Sequence, residues 1–251
     1  MRSADELRAL VVRGLEELEL TPELGTLREP VRYAVGGKLL RPVLCLASAE
    51  ALGVDAEEAL PAALAVELVH SFSLVHDDLP ALDADEMRRG KPTVHVEYGV
   101  RTAILAGDAL LAEAFRLGAG YERSEIVREL ATATLRMIAG QELDFGVATD
   151  RAAVHELKTA ALFEAPVGCA LALAHVREQG AWRAFAREVG LLFQVVDDIL
   201  DGDGFVQELG VEGARALADE RATRVSALLA ELDVDTSVLA EIAATVATRA
   251  S

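Results

Sequence analysis

Residues 61–76 are apolar on nearly every side at helical spacing, and the segment runs straight into Asp77-Asp78. A second segment, 161–176, is also apolar nearly all round. A helix without a polar face must be covered on every side, so both belong in the middle of a large bundle. The rest of the chain supports that bundle. Apolar residues recur at spacings of three and four, Ala, Leu, Glu and Arg are abundant, and there are only 7 prolines and 4% aromatics. Strong helix formers therefore dominate, while the β-branched and aromatic runs of strands are scarce. The pattern predicts helices over roughly 4–20, 38–52, 56–79, 100–118, 123–147, 151–175, 178–201, 208–232 and 235–249. Breakers at Thr21-Pro22, Gly36-Gly37, Gly90-Lys91-Pro92, Gly118-Ala119-Gly120 and Gly202-Asp203-Gly204 separate them. The 251 residues are 52% apolar and carry no low-complexity linker or repeat, so they read as one all-α domain over 1–251.

Lys plus Arg is 24 against 42 for Asp plus Glu, a formal charge of −18. That balance argues against a nucleic-acid partner met through a general basic surface, and against an anionic membrane surface. No uninterrupted apolar run approaches about 18 residues, so no membrane span is expected. Met1-Arg2-Ser3-Ala4-Asp5-Glu6 lacks the apolar core of a signal peptide. Cys45 and Cys169 both lie in apolar surroundings. They are expected to be buried free thiols of a reducing, cytoplasmic compartment.

Much of the acidity reads as solvated helix surface, as at Glu16-Glu17 and Glu57-Glu58, but two clusters do not. The first is Asp77-Asp78 with Asp83, followed by Arg88-Arg89-Gly90-Lys91-Pro92-Thr93. A buried helix that ends in adjacent carboxylates needs something to satisfy them. Carboxylates are hard oxygen ligands suited to Mg²⁺, and arginines are suited to bidentate phosphate contacts. The second cluster is Phe193-Gln194-Val195-Val196-Asp197-Asp198-Ile199-Leu200-Asp201. Asp197 and Asp201 are four apart and share a helix face, where a bound cation would turn their repulsion into attraction. Two such helices can face each other across a bundle and hold metal between them. A third stretch, Gly36-Gly37-Lys38-Leu39-Leu40-Arg41-Pro42, combines permissive glycines with two cations at a helix start, which suits a phosphate.

Taken together, these segments resemble the trans-type polyprenyl diphosphate synthases, the family that includes farnesyl and geranylgeranyl diphosphate synthases. Asp77-Asp78-x4-Asp83 with the arginine pair matches the first aspartate-rich motif, and Asp197-Asp198-x2-Asp201 after Phe193-Gln194 matches the second. Glu67-Leu68-Val69-His70, Gly107-Asp108, Gly140-Gln141 with Asp144, and Lys158-Thr159 occur in the family's order, and the match runs over about 30–205. The resemblance implies an isoprenoid synthase fold with a central prenyl-chain cavity. It implies head-to-tail condensation of isopentenyl diphosphate with an allylic diphosphate, releasing diphosphate. It also implies a homodimer and a cofactor of Mg²⁺, about three ions.

By the same resemblance, Asp77 and Asp83 hold metal from one side and Asp197 from the other, with Asp78 and Asp201 as further ligands or orienting residues. Arg88, Lys158, Thr159 and Gln194 hold the allylic diphosphate. Lys38, Arg41, His70 and Arg89 hold isopentenyl diphosphate without metal. Asp77, Asp83, Arg88, Lys158 and Asp197 carry the catalysis. His76 reads as a capping or orienting residue, and His155 and His175 as surface or packing residues. Phe72 lies five residues before Asp77, about 7.5 Å down the helix axis. A bulky aromatic there goes with short products in the family, which sets C15 ahead of C20. The sequence departs from the pattern in two places. Leu39 replaces an arginine, and no lysine follows Lys158, where the family carries lysines after the second motif. The rival readings are a terpene cyclase on the same fold and a non-catalytic subunit that modulates a synthase.

Overall fold

The computed structural model describes residues 1–145, 154 and 156–250. Helix α1 (Ala4–Glu16) starts at a reciprocal cap in which Ser3 and Glu6 satisfy each other's backbone donors. A 3-10 segment (Pro22–Leu27) and α2 (Arg28–Ala34) lead to α3 (Leu40–Ala51) and α4 (Ala56–Asp77). A two-stranded hairpin, β1 (Met87–Arg88) and β2 (Lys91–Pro92), precedes α5 (Val94–Tyr98), α6 (Val100–Ala119) and α7 (Ser124–Asp144). A π-helical turn (Glu156–Ala160) runs into α8 (Ala161–Leu173). There follow α9 (Gly180–Asp201), α10 (Phe205–Ala230, broken at Gly210), α11 (Ser237–Ala247) and a 3-10 turn (Thr248–Ala250).

The long predicted helices are present with ends shifted by a few residues. The short elements, α2, α5, the hairpin and the 3-10 turns, span too few turns to show a period and were not predicted. The predicted 151–175 helix lies partly outside the described residues, as does His155. Its described part includes a π-helical turn over Glu156–Ala160, where an α-helix is expected.

Helix α4 is the axis of the bundle. It packs mainly on α6 and α3, and every residue from Ala62 to Val69 is buried. Its 22 residues are long and apolar enough to cross a membrane by length and composition, contrary to the sequence expectation. Yet 72% of its apolar window is buried inside the protein, which makes it a core helix. One continuous core extends from Leu7 on α1 to Val246 on α11. Cys45 and Cys169 are buried in it and unpaired. A cavity of about 1080 Å³ is lined by the C-terminal ends of both α4 and α9.

Candidate active site

The face of α4 formed by His70, Ser73, Leu74 and Asp77 lines this cavity, as its spacing of three and four requires. The Asp83 backbone N–H donates to the Asp77 carbonyl at 2.9 Å, which folds the following loop back and brings Asp83 to the same cavity. Burial pushes the Asp77 carboxyl up to about 6, with Asp83 and Asp78 adding to the effect and Lys158 and Arg88 opposing it. Across the cavity, α9 presents Asp197 and Asp201. Asp197 is raised as well, first by burial.

The neighbouring aspartates behave differently, because successive side chains on a helix diverge by about 100°. Asp78 does not line this cavity. Its carboxylate, 4% exposed, accepts from Arg88 Nε at 2.7 Å and Nη2 at 2.6 Å. In this structure Asp78 is therefore paired with Arg88 and turned away from the cavity. Asp198 is buried and accepts from Gln194 Nε2 at 2.6 Å and from the Phe205 backbone N–H at 2.9 Å, which ties α9 to the start of α10.

Cations ring the carboxylates. Arg88, Arg89, Lys38, Arg41 and Lys158 all line the cavity. Lys158 Nζ lies 3.3 Å from Asp144 and 4.0 Å from Asp77. Arg41 is buried and stacks on the Phe163 ring at 4.6 Å, and desolvation lowers its guanidinium to about 10, so it stays charged at neutral pH. Arg41 Nη1 and Arg89 Nη2 both approach His70 Nε2 at 3.4 Å. Guanidinium can only donate, so Nε2 accepts and the proton sits on Nδ1. Burial and the flanking arginines hold this imidazole well below its usual range, which keeps it neutral.

Local backbone choices place these groups. In the hairpin, Arg89 and Gly90 both have positive φ, 54° and 76°, the twist of a tight two-residue turn. Arg89 then reaches back and donates to the Gly36 carbonyl. Its guanidinium lies over Gly37, whose φ of 104° accounts for a glycine at that position. Thr159 and Gln194 line the cavity, but their first bond is to each other, Thr159 Oγ1 donating to Gln194 Oε1 at 2.6 Å. Lys91 lies outside this cavity, with its ammonium on the Tyr33 ring.

Sequence reasoning missed two residues. Glu67 is 1% exposed, lines the cavity and sits one helical turn before His70. Its place in the Glu67-to-His70 motif was the signal that could have found it. Arg249 donates to Asp197 at 2.8 Å across 52 residues of sequence, and no local pattern announces such a contact. Phe72 is a further difference. It is buried but does not line the cavity, and it packs edge-on against His76 with ring centroids 4.8 Å apart. Helix periodicity turns it away from Asp77 and toward α6, where His76 Nε2 meets the Ile104 carbonyl at 3.1 Å. Ser73, Leu74, Met137 and Leu162 supply the small and apolar lining instead.

Magnesium fits this donor set. Among the described residues no three acidic or imidazole groups converge to chelate one ion. Seven aspartates nonetheless line the cavity, Asp77, Asp83, Asp197 and Asp201 among them, with Asp77 and Asp197 partly desolvated. Mg²⁺ asks for this: one or two carboxylates, retained water, and phosphate oxygens for the remaining positions.

A helical bundle with two aspartate-bearing helix ends facing each other inside a ring of arginine and lysine defines a class. It is an all-α protein suited to holding an anionic phosphate head at the mouth of an internal cavity. The polyprenyl synthetase family model matches residues 25–245, and the chain belongs to that family. It is 42% identical over 233 residues to a geranylgeranyl pyrophosphate synthase of Capsicum annuum, a match covering 85% of this chain and 63% of that protein. It is 41% identical over 238 residues to the large subunit 1 of a heterodimeric geranylgeranyl pyrophosphate synthase of Arabidopsis thaliana, covering 85% and 64%. The chain thus spans somewhat less than two thirds of these relatives. A solved geranylgeranyl pyrophosphate synthase superposes with a TM-score of 0.89 at 26% identity over 100% of both chains. A Helicobacter pylori 26695 geranyltransferase gives 0.83 at 31% identity, covering 98% of this chain and 96% of that one.

Proposed function

We propose that the protein is a short-chain prenyltransferase that joins isopentenyl diphosphate head-to-tail to an allylic diphosphate and releases diphosphate. One observation carries this reading. Asp77 and Asp83 face Asp197 and Asp201 across a cavity whose walls also bear Arg88, Lys158, Lys38, Arg41 and Arg89. Breaking the allylic C–O bond sends its electron pair to the departing diphosphate and leaves an allylic cation. The isopentenyl double bond attacks that cation, and the new C–C unit then gives up a proton to the departed diphosphate.

Bound magnesium, about three ions by family resemblance, supplies neutralising charge to the leaving diphosphate. Arg88, paired with Asp78, and Lys158 hold that diphosphate. Arg41 and Arg89, bridged by neutral His70, hold the isopentenyl diphosphate, with Lys38 beside them. Thr159 and Gln194 shape the wall and fix each other.

Relatives named for geranylgeranyl diphosphate, and a cavity that Phe72 does not line, favour a C20 product over the C15 product expected from the aromatic alone. The exposed apolar side chains of Val100, Ile104 and Leu105 on α6 and of Leu135 and Ile138 on α7 support a homodimer. The free thiols support a reducing, cytoplasmic setting.

The test is incubation with Mg²⁺, labelled isopentenyl diphosphate and, in turn, dimethylallyl, geranyl and farnesyl diphosphate, followed by chromatography of the products. Geranylgeranyl diphosphate is expected, and Asp77→Ala should abolish it. No product from any primer would overturn the proposal. Consumption of geranyl diphosphate without isopentenyl diphosphate would indicate a cyclase instead.

A further inference from the structure

The α9 side of the cavity is rich in carboxylates and poor in cations of its own. The connection Asp201-Gly202-Asp203-Gly204 into α10 carries no basic residue. Lys38 acts on Asp197 from across the cavity, and a second cation reaches this wall directly. Arg249, in the 3-10 turn after α11, lines the cavity and donates from Nη2 to Asp197 Oδ1 at 2.8 Å. Its guanidinium also stacks on the Phe193 ring at 5.2 Å, and Arg41 lies 5.4 Å from the same ring. Phe193 therefore joins Arg249 to the isopentenyl side of the site.

Two features make this more than a surface ion pair. Arg249 Nη1 is shielded from solvent and has no hydrogen-bond partner among the described residues. A charged donor in that state wants an anionic acceptor. Moreover, the oxygen that Arg249 Nη2 occupies belongs to one of the carboxylates best placed to take metal. A divalent cation taking that oxygen would have to displace Arg249 from it.

We propose that Arg249 is a diphosphate-binding residue. It is held on Asp197 until divalent metal takes that carboxylate, and it then turns its guanidinium onto the diphosphate. It fills the gap left on this wall by the basic-residue-free connection after Asp201. The inference rests on the prenyltransfer reading for the identity of the anion. Phe193 is the pivot, since a guanidinium can rotate over an aromatic face without losing its stacking.

The experiment is isothermal titration of the wild type, Arg249→Gln and Arg249→Lys with two probes: Mg²⁺ alone, and inorganic diphosphate in the presence of Mg²⁺. The two effects should have opposite signs. Arg249→Gln removes the competitor, so Mg²⁺ alone should bind several-fold tighter. It also removes a charge-assisted donor, so diphosphate should bind roughly tenfold weaker. Arg249→Lys keeps a cation at Asp197, so its Mg²⁺ affinity should stay near wild type. Its diphosphate affinity should fall between the other two, because the fork geometry is lost. A purely structural role would weaken both probes together, and no role would move neither; each result overturns the inference. Wild-type protein that binds Mg²⁺ and diphosphate while Arg249→Gln binds them equally well refutes only the Arg249 assignment. Wild-type protein that fails to bind diphosphate at all refutes the prenyltransfer reading as well.

Discussion

Glu67 illustrates how much a single side chain in this cavity depends on its surroundings. Burial raises its carboxyl from 4.5 to about 7, and the nearby Arg41 and Arg89 only partly offset that. Between those two values the folded protein keeps a proton that the unfolded chain has lost. Stability therefore falls as pH rises through that window, by on the order of 3 kcal/mol in total. Relative to Glu67→Gln, the urea midpoint of the metal-free wild type should drop as pH rises from about 4.5 to about 7, a slope that neutral His70 opposes in both proteins. Glu67→Gln should flatten that dependence; an equally steep profile would refute the assignment. The residue scale also shows where sequence reading stops. Asp77 and Asp78 are adjacent and equally acidic, yet one faces the cavity and the other clamps Arg88. The motif named both, but direction depended on where the end of α4 sits against the hairpin.

Among the elements, the π-helical turn at Glu156–Ala160 is short but places two polar side chains on the cavity wall. It presents Lys158 and Thr159 to the cavity, and π-turns of this kind recur at functional sites. It fits only because α7 has a glycine opposite it. A Cβ at Gly140 would come within 2.6 Å of the Lys158 backbone nitrogen. Gly→Ala in an ordinary helix interior gains about 1 kcal/mol. Here overpacking should cost about 1–3 kcal/mol and push Lys158 off the site. Gly140→Ala should therefore lower the melting temperature, and it should cut kcat by at least about tenfold, since catalytic groups misplaced by an ångström lose that much or more. Unchanged kinetics would show that the turn tolerates the shift. The lining of the cavity makes a second prediction at this scale. Met137→Ala, which enlarges the lining, should lengthen the product more than Phe72→Ala, which opens space beside His76. The reverse order, read by chromatography, would restore Phe72 as the gate.

At the scale of the whole molecule, the surface carries an unusual apolar face. Val100, Ile104 and Leu105 on α6 and Leu135 and Ile138 on α7 are exposed by 42–67%. Clustered exposed apolar side chains mark an interaction site more often than not. Ile104→Asp should turn a dimer into a monomer by light scattering, and a wild-type monomer at micromolar concentration would refute the homodimer. The all-α architecture, the central place of α4 and the two aspartate clusters were legible in the sequence, because helix period, breakers and i,i+4 spacing are local properties of the chain. So was the cationic company of those clusters, through Arg88, Arg89, Lys38, Arg41 and Lys158. Only the tertiary structure decided that Asp78 pairs with Arg88, that Phe72 turns away from the cavity, that Glu67 is buried between arginines and that Arg249 occupies Asp197. Each of these depends on how elements distant in sequence pack, and packing sets distance and desolvation, which residue order alone does not carry.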